Sequence, residues 1–509
     1  MKIIQPSIMS QFPTSNPVRD SIIFILSGSF LLYILMLKIV LSYQRRKFAK
    51  QNHCLPPASY RHIDPIYGLD FIVSNILAVR KGKFVETVQK RFQSLGVYTY
   101  SSLFFGTRTV NTVDVENIKT ILASGFKDYG VPPRRRAAML PIFGKGIFIS
   151  DGKDWEHSRA MLRPNFVRSQ VADLGVFERH IQKLIKRIPA NGDTVDLSKL
   201  FFMLTIDSAT EFLFGESTET LDETKVDSAG HRYSEAYDYV IGKIATFFPN
   251  KKYTDSLKYV HSYIRTYVDK ALALQISPSQ KSESTDQDRY IFLEELAKSG
   301  YSASKIQAEL LNILLAGRDT TASLLTVLFM ILSREQNVFA KLRKEVMSLE
   351  GRNPTFEEIK DMKYLKWCIN EIMRLYPIVP TATRVAIRDT VLPRGGGPDE
   401  RSPTMVNKGD LVQLSSYVLH RRTDIYGEDA DQFRPERWEK LRVGWEYVAF
   451  GGGPRICIGQ QFALTEASYT TVRLLQTFSK IEARDDNPFT ELLTLTMSNK
   501  WGCQVGLFK

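Results

Sequence analysis

Phe450 to Gly459 reads Phe-Gly-Gly-Gly-Pro-Arg-Ile-Cys-Ile-Gly. Three glycines precede Cys457 and one follows it, so the backbone can take positive φ and approach a flat ligand closely, while Pro454 stiffens the middle of the loop. The stretch therefore reads as a loop that presents one thiolate. Arg455, two residues before the cysteine, is placed to meet acidic groups on the same ligand. A Gly-rich turn around a core cysteine would explain a lone Cys-x-Gly, but not this full set of identities.

The spacing Phe450-x-x-Gly453-x-Arg455-x-Cys457-x-Gly459 resembles the cysteine-ligand signature of the cytochrome P-450 enzymes. The resemblance implies a mainly α fold with small β-sheets, a single large haem domain, and haem b ligated by Cys457, with Phe450 and Arg455 as cofactor-binding neighbours. It also implies dioxygen and NADPH as co-substrates, with electrons delivered by an NADPH-dependent cytochrome P-450 reductase.

Composition agrees without deciding. At 509 residues and 43% hydrophobic content the chain can bury a large core. Ser277 to Asp288 is the most linker-like stretch, and it lies between helical patterns as a surface loop within one domain. Four separated cysteines without a Cys-x-x-Cys speak against a disulfide framework or a zinc site and fit a reducing compartment. The net charge of +13 suits an anionic membrane or an acidic protein partner. No nucleic-acid-binding motif is present, and the clusters Arg45-Arg46-Lys47 and Arg134-Arg135-Arg136 read as solvated surface.

Ser21 to Leu37 carries no charge, and the apolar run resumes after Lys38 through Leu41. Twenty-one helical residues span roughly 31 Å, the hydrocarbon thickness of a bilayer. The expected layout is a lumenal tail over 1–20, an anchor over 21–41, a basic and Pro-rich linker over 42–57 and the haem domain over 58–509. Arg45, Arg46, Lys47 and Lys50 follow the span, which places the bulk of the chain on the cytosolic side of the endoplasmic reticulum membrane as a single-pass protein.

Within the domain, Gly96-Val-Tyr-Thr-Tyr-Ser and Arg108-Thr-Val-Asn-Thr-Val predict a small sheet. Trp155 and Arg159 stand one helical turn apart, an indole and a guanidinium able to face one acid; the resemblance assigns both to a haem propionate. Ser304 to about Arg334 is apolar on nearly every face and reads as a core helix, with Ser304 and Gln307 as a capping box. In its middle, Ala316-Gly317-Arg318-Asp319-Thr320-Thr321 can loosen the helical ladder. The resemblance makes this the oxygen-binding helix, with Ala316 beside the substrate, Thr320 as the hydroxyl that bonds dioxygen and Asp319 as the acid feeding protons. Glu371 and Arg374 form an i, i+3 pair amid apolar neighbours; the family joins such a pair to the arginine of a Pro-Glu-Arg segment, here Arg437, as a structural triad. Arg384 matches a further propionate-binding arginine.

Thr210–Ser217, Leu392–Asp399, Asp424–Asp431 and Gly459–Ala467 resemble the fungal group that oxidises n-alkanes and fatty acids. That group commonly carries an amide and a bulky aromatic just before the arginine, where this chain has Thr381, Ala382 and Thr383 beside the substrate pocket. The expected substrate is a small hydrophobic, lipid-like molecule with a fatty acid or alkane chain; a polyketide or terpenoid intermediate is the competing reading. A haem-thiolate lipid peroxide isomerase and a non-catalytic haem sensor are the other classes, and neither needs the Asp319-Thr320 pair.

Overall fold

The computed structural model describes residues 17–166, 173–243, 250–276 and 291–509. The linker-like stretch at 277–288 and the first sixteen residues lie outside them. A single helix, α1 (Pro17–Gln51), carries the apolar segment, and its most apolar window has none of its residues buried against the rest of the chain. The stretch expected as a linker continues this helix through Gln51; Arg45 reaches the carbonyl of Lys408 (3.2 Å) and the carboxylate of Asp389 (3.4 Å). Leu55 then joins the domain through a backbone bond to Pro403.

The expected sheet forms. Strand β1 is Ala58–Ser59, and β2 (Thr99–Phe104) pairs antiparallel with β3 (Thr107–Thr112) across Phe105 and Gly106, both at positive φ as a tight hairpin demands. With β4 (Tyr129–Gly130), β5 (Thr381–Ala386) and β6 (Leu411–Ser415) they make one sheet in the order β1-β2-β3-β6-β5-β4. Thr383 sits opposite Gln413 and Arg384 opposite Val412, so this sheet fixes where Arg384 lies. Side chains alternate along β5, which places Thr381 and Thr383 on one face and Ala382 and Arg384 on the other.

The helices that build the site are α2 (Pro133–Phe143), α3 (Gly152–Leu162), α4 (Leu197–Phe214), α5 (Ala229–Ile241), α6 (Ala303–Leu332), α7 (Lys363–Leu375) and α8 (Gln460–Thr477). Helix α6 runs through the centre. It is apolar enough to cross a membrane, but 83% of its most apolar window is buried inside the domain, so it is a core helix. Its cap lies two residues before the expected one: it is Ser302, whose hydroxyl accepts the N–H of Lys305 at 3.3 Å, while Gln307 turns to the carbonyl of His261. The proposed capping box at Ser304 and Gln307 is therefore replaced by a simple serine cap. The helical ladder is also unbroken past Gly317; the loosening is confined to the Thr320 hydroxyl, which donates to the carbonyl of Ala316 at 2.6 Å.

Candidate active site

The cysteine loop follows a short 3₁₀ turn, Gly453–Arg455. Gly451 and Gly453 both take positive φ, and a side chain on Gly453 would collide with the carbonyl of Leu122, so the sequence needs glycine there for conformation and for close packing at once. The loop closes on itself where the Cys457 N–H donates to the carbonyl of Phe450 at 3.0 Å. Cys457 is exposed, yet burial still pushes its thiol pKa up, opposed by the Gly459 N–H and by the Arg159 charge. A side chain that is accessible yet desolvated lies in a recess and not on the open surface.

Arginines ring that recess. Arg159 on α3 donates to the carbonyl of Ile456, one residue before the thiol, at 3.0 Å. Arg455 donates to Asp151 at 2.6 Å and to the carbonyl of Ser150 at 3.0 Å, with its guanidinium 4.6 Å above the ring of Trp155. The short loop before α3 that supplies Ser150 and Asp151 is itself held by α6: the N–H of Ile147 reaches Glu309 (3.0 Å) and that of Phe148 reaches Asn312 (3.2 Å). Arg384 on β5 is brought down to about 10 by burial and by repulsion from Arg135 and Arg455, with Asp151 acting the other way.

Arg135 is a site residue the sequence did not single out. The run Arg134-Arg135-Arg136 reads as solvated surface, but its three members have three fates. Arg134 lies over the ring of Phe105 at 4.4 Å, and Arg136 pairs with Asp151 at 2.7 Å. Arg135 turns its Nε to Met139 Sδ at 3.5 Å and stands close enough to Arg384 to repel it, and burial lowers its own pKa. Local charge cannot tell which of three consecutive arginines turns inward; only the packing of α2 decides it.

This donor set fits a haem. One thiol is offered, and among the described residues no group of three or more His, Cys, Asp or Glu could hold a metal ion, so a metal here requires a chelating ring to supply its remaining ligands. Arg135, Arg159, Arg384 and Arg455 gather around it, and burial lowers the pKa of each, with Asp151 as the carboxylate that counters Arg384 and Arg455. The surplus positive charge suits a flat ligand bearing two carboxylates.

The triad behind the loop is fully formed. Glu371 accepts from Arg374 Nη2 (2.8 Å) and Nε (2.8 Å), from Arg437 Nε (2.9 Å), from the Arg434 N–H (3.0 Å) and from the indole of Trp438 (2.9 Å). Burial alone would raise its carboxyl pKa; the bonds from Arg374, Arg434 and Arg437 outweigh burial and hold it below the ordinary range. Arg374 also binds the carbonyls of His420 (2.8 Å) and Ala430 (2.6 Å). Burial and the Arg374 charge bring His420 down to about 3, so its neutral Nε2 accepts the Val448 N–H at 3.0 Å, two residues before Phe450. Trp438 and His420 are the members of this network that the sequence reading lacked.

On α6 the predicted residues divide. Ala316, Gly317 and Thr320 are only half-buried in a helix whose neighbours are sealed, and their spacing puts them on one face. Asp319 is 3% exposed and turns elsewhere, accepting from Arg318 Nη1 at 2.9 Å. Burial raises its pKa, opposed by the Arg318 charge. Asp319 and Thr320 are thus adjacent in sequence but each bonds a different partner.

The family profile of Cytochrome P450 matches residues 68–501. The chain is 45% identical over 487 residues to cytochrome P450 monooxygenase himC of Aspergillus japonicus, covering 93% of this chain and 87% of that protein. It is 41% identical over 488 residues to cytochrome P450 52A13 of Debaryomyces hansenii, covering 91% and 93%. The crystal structure of the cytochrome P450DA heme domain superposes with a TM-score of 0.75 at 19% identity, over 90% of this chain and 98% of that one. The chain belongs to the cytochrome P450 family and is a haem-thiolate monooxygenase working with haem b, dioxygen and electrons drawn from NADPH.

Proposed function

We propose that the enzyme hydroxylates an unactivated C–H bond of a hydrophobic, lipid-like molecule with a fatty acid or alkane chain. The observation that carries this reading is the half-buried face Ala316-Gly317-Thr320, which offers one hydroxyl and no charge. Strand β5 beside Arg384 adds Thr381, Ala382 and Thr383, again uncharged. A second reading, oxidation of a bulkier polyketide or terpenoid intermediate, is favoured by the small size of those three residues.

Bound through Cys457, haem supplies dioxygen activation and hydrogen abstraction. The chain's own residues hold and feed that centre. Trp155, Arg159, Arg384 and Arg455 would take the propionates, Phe450 would pack beside the loop, and the Glu371-Arg374-Arg437 triad would keep the loop in register. Asp319 would hold a proton and the Thr320 hydroxyl, once released from the Ala316 carbonyl, would pass it toward the half-buried face of α6. This pair favours a monooxygenase over a peroxide isomerase or a haem sensor, neither of which consumes protons.

An NADPH-dependent cytochrome P-450 reductase is the proposed electron donor. Helix α1, long and apolar enough to span a bilayer, is the proposed single-pass anchor in the endoplasmic reticulum, with the domain in the cytosol. The reading is tested by incubating the membrane-bound protein, reductase and NADPH with dodecane, dodecanoic acid and a panel of polycyclic terpenoids, with products read by mass spectrometry. Hydroxylated chains support the first reading; turnover of terpenoids alone replaces it with the second.

A further inference from the structure

Arg318 is 3% exposed and spans from α6 to α5. Its Nη1 donates to Asp319 at 2.9 Å and its Nη2 meets Asp238 of α5 at 2.5 Å. The guanidinium lies over the rings of Phe202 (5.0 Å) on α4 and Tyr237 (5.4 Å) on α5, so three helices enclose one cation. Among the described residues its Nε and the hydroxyls of Tyr233 and Tyr237 have no partner. The side chain of Asp238, by contrast, is 53% exposed, and that of Asp319 is 4% exposed.

One guanidinium thus faces two carboxylates, and a single negative charge is enough to balance it. The half-exposed carboxylate is the easier one to ionise, since water still solvates it; the sealed one is the easier one to protonate. We propose that Asp238 is a positioning residue for proton delivery: by serving as the counter-ion of Arg318 it leaves Asp319 free to hold a proton beside Thr320. Without the Asp238 charge, Asp319 becomes the sole counter-ion of a buried arginine and stays ionised and clamped. The position of α5 thereby governs whether the neighbouring residue on α6 can act as an acid. The proposal rests on the proton-carrying role given to Asp319 above.

The test uses the full-length holoprotein with Asp238→Asn, Asp238→Glu and Asp319→Asn. The infrared carboxylic-acid C=O band that Asp319→Asn removes reports the proton on Asp319 directly, with no turnover. It should be present in the parent and in Asp238→Glu and be lost in Asp238→Asn. With reductase, NADPH and dodecanoic acid as the probe, the share of NADPH ending as hydrogen peroxide should rise at least about threefold in Asp238→Asn, a small part of what a positioned proton-transfer group can contribute. Asp238→Glu should restore it, with melting temperature and haem content unchanged throughout. An unchanged band in Asp238→Asn overturns the proposal. A parental peroxide share in Asp319→Asn overturns the proton role of Asp319 instead, so the two failures read differently.

Discussion

Two buried polar clusters, one around Glu371 on α7 and one where α8 meets the central helix, are built by opposite rules. Around Glu371 each carboxylate oxygen accepts at least two bonds, from two arginines, a backbone N–H and an indole. Where α6 meets α8, buried polar atoms go without: among the described residues Ser323 Oγ, Thr470 Oγ1 and one oxygen of Glu466 have no well-aligned partner, and Glu466 is held through its other oxygen by the Ser208 hydroxyl, with the Thr321 hydroxyl close by. The first cluster is over-determined and can only hold its shape. The second keeps spare hydrogen-bonding capacity near Thr320, which is the property needed to rearrange or to pass protons. Rigidity sits behind the thiolate loop and adaptability sits beside the half-buried face of α6.

Breaking the over-determined side should have the largest effect. Glu371→Gln keeps the shape but leaves Arg374, fully buried, without a carboxylate, at a cost of about 3–5 kcal/mol. The expected result is a protein that accumulates poorly and without haem, read by denaturant midpoint and haem content. A stability loss under about 1 kcal/mol would show the triad to be dispensable.

On the adaptable side the fold should survive and the chemistry should suffer. Thr320→Ala removes a hydroxyl that bonds only the Ala316 carbonyl. NADPH use should stay within several-fold of the parent while much of it is diverted to peroxide; a positioned proton-transfer group contributes about 10²–10⁴-fold, and water makes up part of its loss. Unchanged coupling would make Thr320 a helix residue with no relay function.

The third effect is a slope with pH. Burial pushes Glu466 from 4.5 up to about 8, against the pull of the Ser208 and Thr321 hydroxyls. The folded state therefore binds a proton that the unfolded state releases, and stability from this group is full below about pH 4.5 and lost as pH rises toward 8, by at most about 1.4 kcal/mol per pH unit. Glu466→Gln should flatten that decline, so unfolding free energies measured at pH 6 and pH 8 should differ less in the variant than in the parent. An equal decline in both proteins would place the Glu466 carboxyl in the ordinary range.

What could be read in advance follows from how local each feature is. The cysteine loop and the Glu371-Arg374 pair are written in ten residues or fewer, and the two strands expected near 96–101 and 108–113 form as β2 and β3 within fourteen. Features that join distant segments were not legible. Nothing near Arg135 says that it turns inward while Arg136 pairs with Asp151, and nothing near Asp238 announces a partner 80 residues away on α6. Ser302 caps α6 in place of Ser304, and Gln307, which a box at Ser304 would need, is bonded to His261, 46 residues away. Trp438 follows directly on the Pro-Glu-Arg segment and was within reach, since a buried indole N–H needs an acceptor and Glu371 is the one beside it.

The account rests on Cys457 being the ligand that binds haem as a thiolate. The direct measurement is the absorbance difference spectrum of the dithionite-reduced, carbon monoxide-bound protein, for the parent and for Cys457→Ser. The parent should show the strongly red-shifted Soret band that thiolate ligation produces, and Cys457→Ser should lose it, by conversion to an unshifted band or by loss of haem. A red-shifted band retained in Cys457→Ser would contradict the assignment of the loop.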